Sequence, residues 1–399
     1  LLQPRHPPSL IHLLTRPRIN PRINPITHPI TCCMTVLSSV SALRTPPSQL
    51  PVAWYFDPHI YATEQKLLFA QGPQYVGHRL MVPNVGDYHV IEWLGSSLAL
   101  VHTPAGIQLL SNICRHRQAI ILQGRGHTEN IICPLHRWTY DLQGKLLGAP
   151  HFADNPCLDL ASTPLHEWNG LLFTGQRNVA RDLAQISSRH ALDFSGYVLD
   201  HIETDDYACN WKTFIEVYLE DYHVEPFHPG LGQFVNVNDL QWEFGDWHSV
   251  QTCGIKNRLA RPGSAVYQQW HNQVLTQSTE QPQHGAIWLT YFPNLMVEWY
   301  PKVLVVSTIL PTGPETCRNV VEFYYPEEIV HFERDFIEAE QAAYRETAVE
   351  DAEIIARMTA GRRALWNQGR CETGPYQSPL EDGMRHFHDF LQRTVTPHL

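Results

Sequence analysis

The chain has 399 residues, 43% of them hydrophobic, and 40 acidic against 29 basic side chains give it a formal charge of −11. That balance excludes the clustered Lys and Arg of a nucleic-acid footprint, and no apolar run approaches the roughly 20 residues needed to span a bilayer. A chain of this length buries a sizeable core in two domains, and its nine scattered cysteines do not form the framework of a small secreted domain, so a soluble cytoplasmic enzyme acting on small molecules is expected.

The first segment, residues 1–33, repeats Pro, Arg, Ile and Asn (Pro17-Arg18-Ile19-Asn20, then Pro21-Arg22-Ile23-Asn24) and contains no acidic residue. Prolines at that density break helices and strand ladders alike. Met34 is the first methionine, so residues 1–45 are expected to be a disordered leader, with the part ahead of Met34 being untranslated upstream sequence. A transit peptide is the rival reading of an acid-poor, Arg-bearing start, but the prolines oppose the amphipathic helix it needs.

Next to strand-like segments at Gln108–Asn112 and Asn130–Ile132 stand Cys114-Arg115-His116-Arg117 and, farther on, Cys133-Pro134-Leu135-His136. Two such loops clamp one metal centre between their tips, and two thiolates plus two imidazoles suit either zinc or a [2Fe–2S] cluster. Zinc fingers group their cysteines in one pair and their histidines in the other. Here each loop supplies one of each, which favours a cluster with both histidines on one iron. Together with Trp138, Tyr140-Asp141-Leu142, Gly144 and Trp168-Asn169-Gly170-Leu171-Leu172-Phe173, these loops resemble the Rieske domains of ring-hydroxylating oxygenases. Relatives often carry Gly where Gln118 and Arg137 stand, which leaves the turn geometry at those two points open.

A second constellation begins at Asn210-Trp211-Lys212 and runs through Glu220-Asp221-Tyr222-His223 to Pro226-Phe227-His228-Pro229. On a helix Glu220 and His223 share a face, and the two prolines then interrupt it so that His228 swings back toward His223. Two imidazoles need a carboxylate to complete a facial triad that leaves sites open for O2. The strongest helix is expected from about Glu327 to Trp366, with Ile337, Tyr344, Ala348, Asp351, Ile355 and Met358 on one stripe. Asp351 on that apolar stripe is costly to bury without a partner. A cap or an Arg salt bridge would also account for it, Glu350 or Glu353 could take its place, and the histidine pair taken alone could be satisfied surface groups.

The segment Asn210–His228 and the pair Glu350-Asp351 resemble the mononuclear iron motif of the same oxygenase family, on the choline and betaine side, although Val217 stands where those relatives have Asn. The resemblance implies an α+β chain: a helical segment over residues 46–74, an all-β Rieske domain over 75–180, and a catalytic domain over 181–399 whose antiparallel sheet wraps a long C-terminal helix in a helix-grip arrangement. It further implies that Cys114, His116, Cys133 and His136 hold the [2Fe–2S] cluster, that His223, His228 and Asp351 hold a mononuclear Fe(II), and that Glu220 bridges the two centres between subunits of a homotrimer. Activity would be O2-dependent hydroxylation or oxidative demethylation. No dinucleotide-binding GxGxxG loop occurs, so NAD(P)H would act through a separate flavin/iron–sulfur reductase or ferredoxin. An electron carrier with an inactive second domain and a zinc-binding interaction module are the competing classes.

Aromatics are dense between Phe234 and Tyr325, among them Trp242, Phe244, Trp247, Trp270, Trp288, Tyr291, Phe292, Trp299 and Tyr300, and most of these fit sheet packing, with two or three left over for a cation-binding cage. Tyr291-Phe292-Pro293-Asn294-Leu295 resembles a stretch of the choline-type oxygenases and tilts the expected chemistry toward N-demethylation, with ring hydroxylation of an aromatic acid still open.

Overall fold

The computed structural model describes residues 48–256, 263–277 and 282–399, which belong to one unit beginning at Pro47. The leader expected over residues 1–45, with Met34, lies outside the described residues. Helix α1 (Pro58–Glu64) opens on Asp57, whose side chain accepts from the His59 N–H at 2.8 Å. Leu50, Tyr55, Ile60 and Leu68 of this N-terminal stretch bury themselves against Trp211 and Phe387 in one core cluster.

Short strands follow: β1 (Gln74–His78), β2 (Asp87–Val90), β3 (Leu98–Thr103), β4 (Gly106–Ser111), β5 (Arg125–His127), β6 (Ile131–Ile132), β7 (Thr139–Tyr140), β8 (Leu146–Gly148), β9 (Ser162–Thr163), β10 (His166–Trp168) and β11 (Leu171–Thr174). They form three antiparallel sheets in the orders β5-β2-β3-β4-β9, β1-β11-β10 and β6-β7-β8. The first Cys/His loop leaves β4 and the second joins β6 to β7, so the sequence-based placement of both loops beside strands holds. Gln118 and Arg137 adopt φ of 56° and 61°, the left-handed region that glycine occupies without a Cβ clash.

After α2 (Val179–Asp182) come β12 (Tyr197–Tyr207), α3 (Trp211–Tyr218), α4 (Val224–Phe227), α5 (Leu231–Phe234), β13 (Val235–Gly245), β14 (His248–Ile255) and α6 (Ala265–Gln277). The chain ends through β15 (Ala286–Tyr291), β16 (Leu295–Tyr300), β17 (Val303–Gly313), β18 (Thr316–Pro326), α7 (Glu327–Phe332), α8 (Arg334–Asn367) and α9 (Asp382–Val395). Strands β12 to β18 make one antiparallel sheet in the order β12-β18-β17-β16-β15-β14-β13.

This large sheet is covered on both faces, which is why β15 to β18 read as nearly continuous apolar runs. With the strand period of two, Ile287, Leu289, Val297, Leu304 and Val306 pack with Tyr75, Trp168 and Phe173 of the β1-β11-β10 sheet. The alternate residues Trp288, Tyr300, Val303 and Val305 face the other way, toward Phe336, Ile337 and Ala343 of α8. One helix was expected over residues 327–366, and two are found. Glu333, at φ −128° and ψ 53°, separates α7, which buries Ile329 beside β12 and β18, from α8, which packs on α3 and α6. No Pro or Gly marks that break; it follows from the two helices serving different surfaces.

Candidate active site

Helix α3 is fixed before the site residues begin. Asn210 caps it by accepting from the Lys212 N–H at 3.0 Å, and the Lys212 ammonium, fully buried, pairs with Glu64 at 2.7 Å. One turn on, buried Glu216 receives Arg362 of α8 at 2.7 Å and His388 of α9 at 3.0 Å, and Tyr55 also bonds to it. Burial works against the Glu216 carboxylate, but Arg362 and His388 outweigh it and hold the group at about 2. Helices α1, α3, α8 and α9 are thereby locked in one network.

The helix stops at Leu219, so Glu220 and His223 do not share a helical face as their i, i+3 spacing had led one to expect. They stand in a turn between α3 and α4. Glu220 Oε2 accepts from the N–H groups of Tyr222 at 2.7 Å and His223 at 3.1 Å, a local bonding pattern that competes with helix propagation. Its Oε1 lies 2.5 Å from His223 Nδ1. Pro226 falls inside the single turn of α4, where no intrahelical N–H is required, and the helix ends at Phe227 ahead of His228 and Pro229.

These backbone events bring three side chains together. One ligand atom each from His223, His228 and Asp351 lies within 4.8 Å of the others. Asp351 Oδ1 is 3.0 Å from His228 Nε2 and 3.6 Å from His223 Nε2, yet neither Oδ1 nor His228 Nε2 has a hydrogen-bond partner of good geometry among the described residues. Of the outer nitrogens, His228 Nδ1 is hydrogen-bonded to Glu350 at 2.7 Å, whereas His223 Nδ1 has Glu220 beside it as an ion-pair contact without hydrogen-bond geometry. Two imidazoles oriented by carboxylates, with their inner nitrogens turned toward a third carboxylate, fit a divalent iron. Burial disfavours charge on His223, but Asp351 and Glu220 overcome it and raise the imidazole to about 10, so the site favours a positive charge at this point. Of the other carboxylates considered from sequence, Glu350 backs His228, and Glu353 is exposed and pairs with Arg357.

At the other end of the chain's chemistry, Cys114 and Cys133 are buried while His136 is exposed. The rings of His116 and His136 lie 4.6 Å apart, His116 stacks on Trp138 at 5.0 Å, and the buried His116 Nδ1 has no partner. Burial raises the Cys114 thiol, but the His116 N–H and the Tyr140 hydroxyl, 3.6 Å from the sulfur, bring it below its ordinary value. A thiolate stabilised in this way beside paired imidazoles fits the cluster read from sequence.

A profile of the ring hydroxylating alpha subunit (catalytic domain) matches residues 187–396, and a profile of the Rieske [2Fe-2S] domain matches residues 72–164. The chain belongs to the ring-hydroxylating alpha subunit family. It is 61% identical to a putrescine 2-hydroxylase of Ralstonia nicotianae over 91% of this chain and 100% of that protein. A second putrescine 2-hydroxylase, from Bordetella bronchiseptica, is 52% identical over 91% of this chain and 88% of its own length. The fold is shared with the crystal structure of a quaternary ammonium Rieske monooxygenase at a TM-score of 0.70 and 20% identity, covering 89% of this chain and 96% of that one. As a family member the protein is an oxidoreductase with a [2Fe–2S] cluster and a mononuclear iron. It uses O2 to hydroxylate a small organic substrate, with NAD(P)H electrons supplied through a partner reductase or ferredoxin. No helix among the described residues is long and apolar enough to cross a membrane.

A cavity opens beside His223, His228 and Asp351. Tyr344, Ala348 and Asp351 of the expected α8 stripe face it, while Ile337 and Ile355 go into the flanking cores. Of the nine aromatics noted in the sequence, Trp270, Trp288 and Tyr300 line it. Sequence reasoning missed Gln251, Glu298 and Glu340, which also line it. A signal existed for Glu298: it is the one charged residue in the apolar run Leu295-Met296-Val297-Glu298-Trp299-Tyr300.

Proposed function

We propose that this protein hydroxylates a short aliphatic diamine, putrescine in the first instance, at its second carbon. The observation that carries this reading is the character of the cavity: no Lys or Arg among the described residues lines it, whereas Glu298 does, together with six aromatics, Tyr218, Tyr267, Trp270, Trp288, Tyr300 and Tyr344. Such walls suit an alkylammonium ion and oppose a carboxylate. The two putrescine 2-hydroxylases cited above support the choice of a primary diamine. The reading departs from the N-demethylation expected on sequence resemblance, since carbon hydroxylation of a primary amine needs no N-methyl group.

In this account His223, His228 and Asp351 hold the iron, and Cys114, His116, Cys133 and His136 hold the cluster. The iron supplies O2 activation and the cluster supplies electrons one at a time, so that R–H + O2 + 2 e⁻ + 2 H⁺ gives R–OH + H2O. The chain's own part is positional. Glu350 and Glu220 fix the two imidazoles, and the cavity floor holds the alkyl chain with its carbon toward the triad. Glu220 further serves as the link between His223 and the cluster histidine His136 of a neighbouring subunit in a head-to-tail homotrimer. Exposed Leu135 and Phe152 beside the cluster loops support a docking role for that face. Residues 46–74, 75–180 and 181–399 are taken as helical segment, Rieske domain and catalytic domain, and the cysteine pattern supports a cytoplasmic location.

The test is turnover of the purified protein with a reductase, NADH and O2. Putrescine should give a product heavier by one oxygen atom that carries label from 18O2. Absence of that product while carnitine or an aromatic acid is oxidised would replace the diamine by the other substrate class.

A further inference from the structure

Resting on the diamine reading, we propose that Gln251, Trp288 and Glu298 form a receptor for the substrate ammonium group remote from the iron. The three residues are cross-strand neighbours. Gln251 on β14 pairs with Trp288 on β15, which pairs with Glu298 on β16. Register therefore sets an acceptor, an aromatic ring and a second acceptor side by side on the sheet face that lines the cavity.

Each member is fixed and each has capacity left. Gln251 is 3% exposed, and its Nε2 donates to the Tyr218 carbonyl at 2.8 Å, while its Oε1 is buried with no partner among the described residues. A buried acceptor without a donor is destabilising, and an ammonium N–H supplies what it lacks. Glu298 is 1% exposed; Oε1 accepts from Tyr218, Tyr344 and Ser307 at 3.1, 3.2 and 3.3 Å, but Oε2 accepts from Tyr300 alone at 2.8 Å. A carboxylate oxygen has two lone pairs, so Oε2 retains room for another donor. The Trp288 indole N–H donates to the Tyr300 hydroxyl at 2.9 Å, which orients the ring between the two acceptors as a cation–π surface.

Comparison with the other buried acids sharpens the point. Glu64 is paired with Lys212 and Glu216 with Arg362, so each has its cation within the chain. Glu322 has none, but it bonds Tyr75 and Tyr324 and does not line the cavity. Glu298 and Glu340 both line the cavity without a cation among the described residues, but only Glu298 shares the sheet floor with an unsatisfied acceptor, Gln251, two strands away across Trp288; its cation comes from the ligand. Tyr344, which touches Glu298, lies two turns from Asp351 along α8, or about 10 Å at 1.5 Å per residue. One head on the sheet floor thus leaves a short carbon chain pointing at the triad.

The experiment is anaerobic calorimetric titration of the iron-loaded holoenzyme with putrescine and with neutral 1-butanol, on the natural protein and on Glu298→Gln and Gln251→Leu, with iron content and circular dichroism as controls. The natural protein should prefer putrescine. Each variant should lose about tenfold or more of that preference, through weaker putrescine binding at unchanged 1-butanol affinity, in line with loss of a charge-assisted hydrogen bond. Gln251→Leu keeps the test alive should Glu298→Gln fail to fold. If the natural protein prefers putrescine and the folded variants keep the full preference, the receptor is wrong and the diamine reading stands. If the natural protein does not bind putrescine at all, both are wrong.

Discussion

The two metal-binding regions are built on opposite plans. The cluster residues come from two short loops, and one of them, His136, is exposed at the surface among apolar side chains. The iron residues come from a turn, a helix end and the middle of α8, and they face an interior cavity walled by the large sheet. The difference follows from what each must meet. A one-electron carrier needs a short path to a partner, so its ligands sit at the rim on local loops. A site that activates O2 needs control of water and substrate, and only long-range packing supplies walls on every side.

The largest effect should come from separating the regions. His228→Ala should abolish hydroxylation and remove the mononuclear iron while leaving the Rieske-type EPR signal of the reduced cluster intact. Cys133→Ser should do the reverse, losing the signal while iron still binds at the triad. Loss of both centres in either variant would show that the two regions fold as one dependent unit.

Next in size is the network behind the iron turn. Arg362→Met leaves Glu216 buried without its guanidinium partner, and breaking a buried pair on one side costs about 3–5 kcal/mol, read as a lower urea midpoint. Because Glu216 is held at about 2, its contribution is present above the ordinary carboxylate range and fades as pH falls from there toward 2; the variant should lack that acid-side loss.

A smaller effect is expected at the carboxylate behind His228. Glu350→Gln keeps the ligands but weakens their orientation, which should lower iron affinity by about 10–100-fold without touching the cluster. The same change made at exposed Glu353 should be silent.

The smallest is a pH effect on stability. Burial raises Glu340 to about 8, only partly offset by the Tyr325 hydroxyl. The folded protein therefore keeps a proton that the unfolded chain has released, and stability falls as pH rises from the ordinary glutamate range through about 8. Glu340→Gln removes that dependence. Its Tm relative to the natural protein should rise between pH 5 and pH 8, and a flat difference would show that Glu340 is ionised in the fold.

The same contrast explains what the sequence made legible. The candidate cluster ligands lie within a few residues of each other on each loop, so the Cys/His distribution together with the resemblance to Rieske loops pointed to Cys114, His116, Cys133 and His136. The turn geometry at Gln118 and Arg137 was left open by the sequence, and the structure puts both in the left-handed region despite their side chains. The iron site was legible where periodicity reported a helix stripe, hence Asp351, and illegible where a turn replaced a helix. Leu219 ends α3 and Glu220 binds the next two N–H groups, a choice that tertiary packing makes. The cavity floor was hidden for another reason. With both sheet faces buried, the alternation that would single out Gln251 and Glu298 is masked by apolar neighbours on either side.

The central claim is that one chain carries both centres, and iron content with EPR on anaerobically purified protein tests it most directly. About three irons per chain, two in the cluster and one at the triad, should accompany a rhombic Rieske signal after reduction. About two irons with that signal would leave an electron carrier, and zinc in place of iron would contradict the account outright.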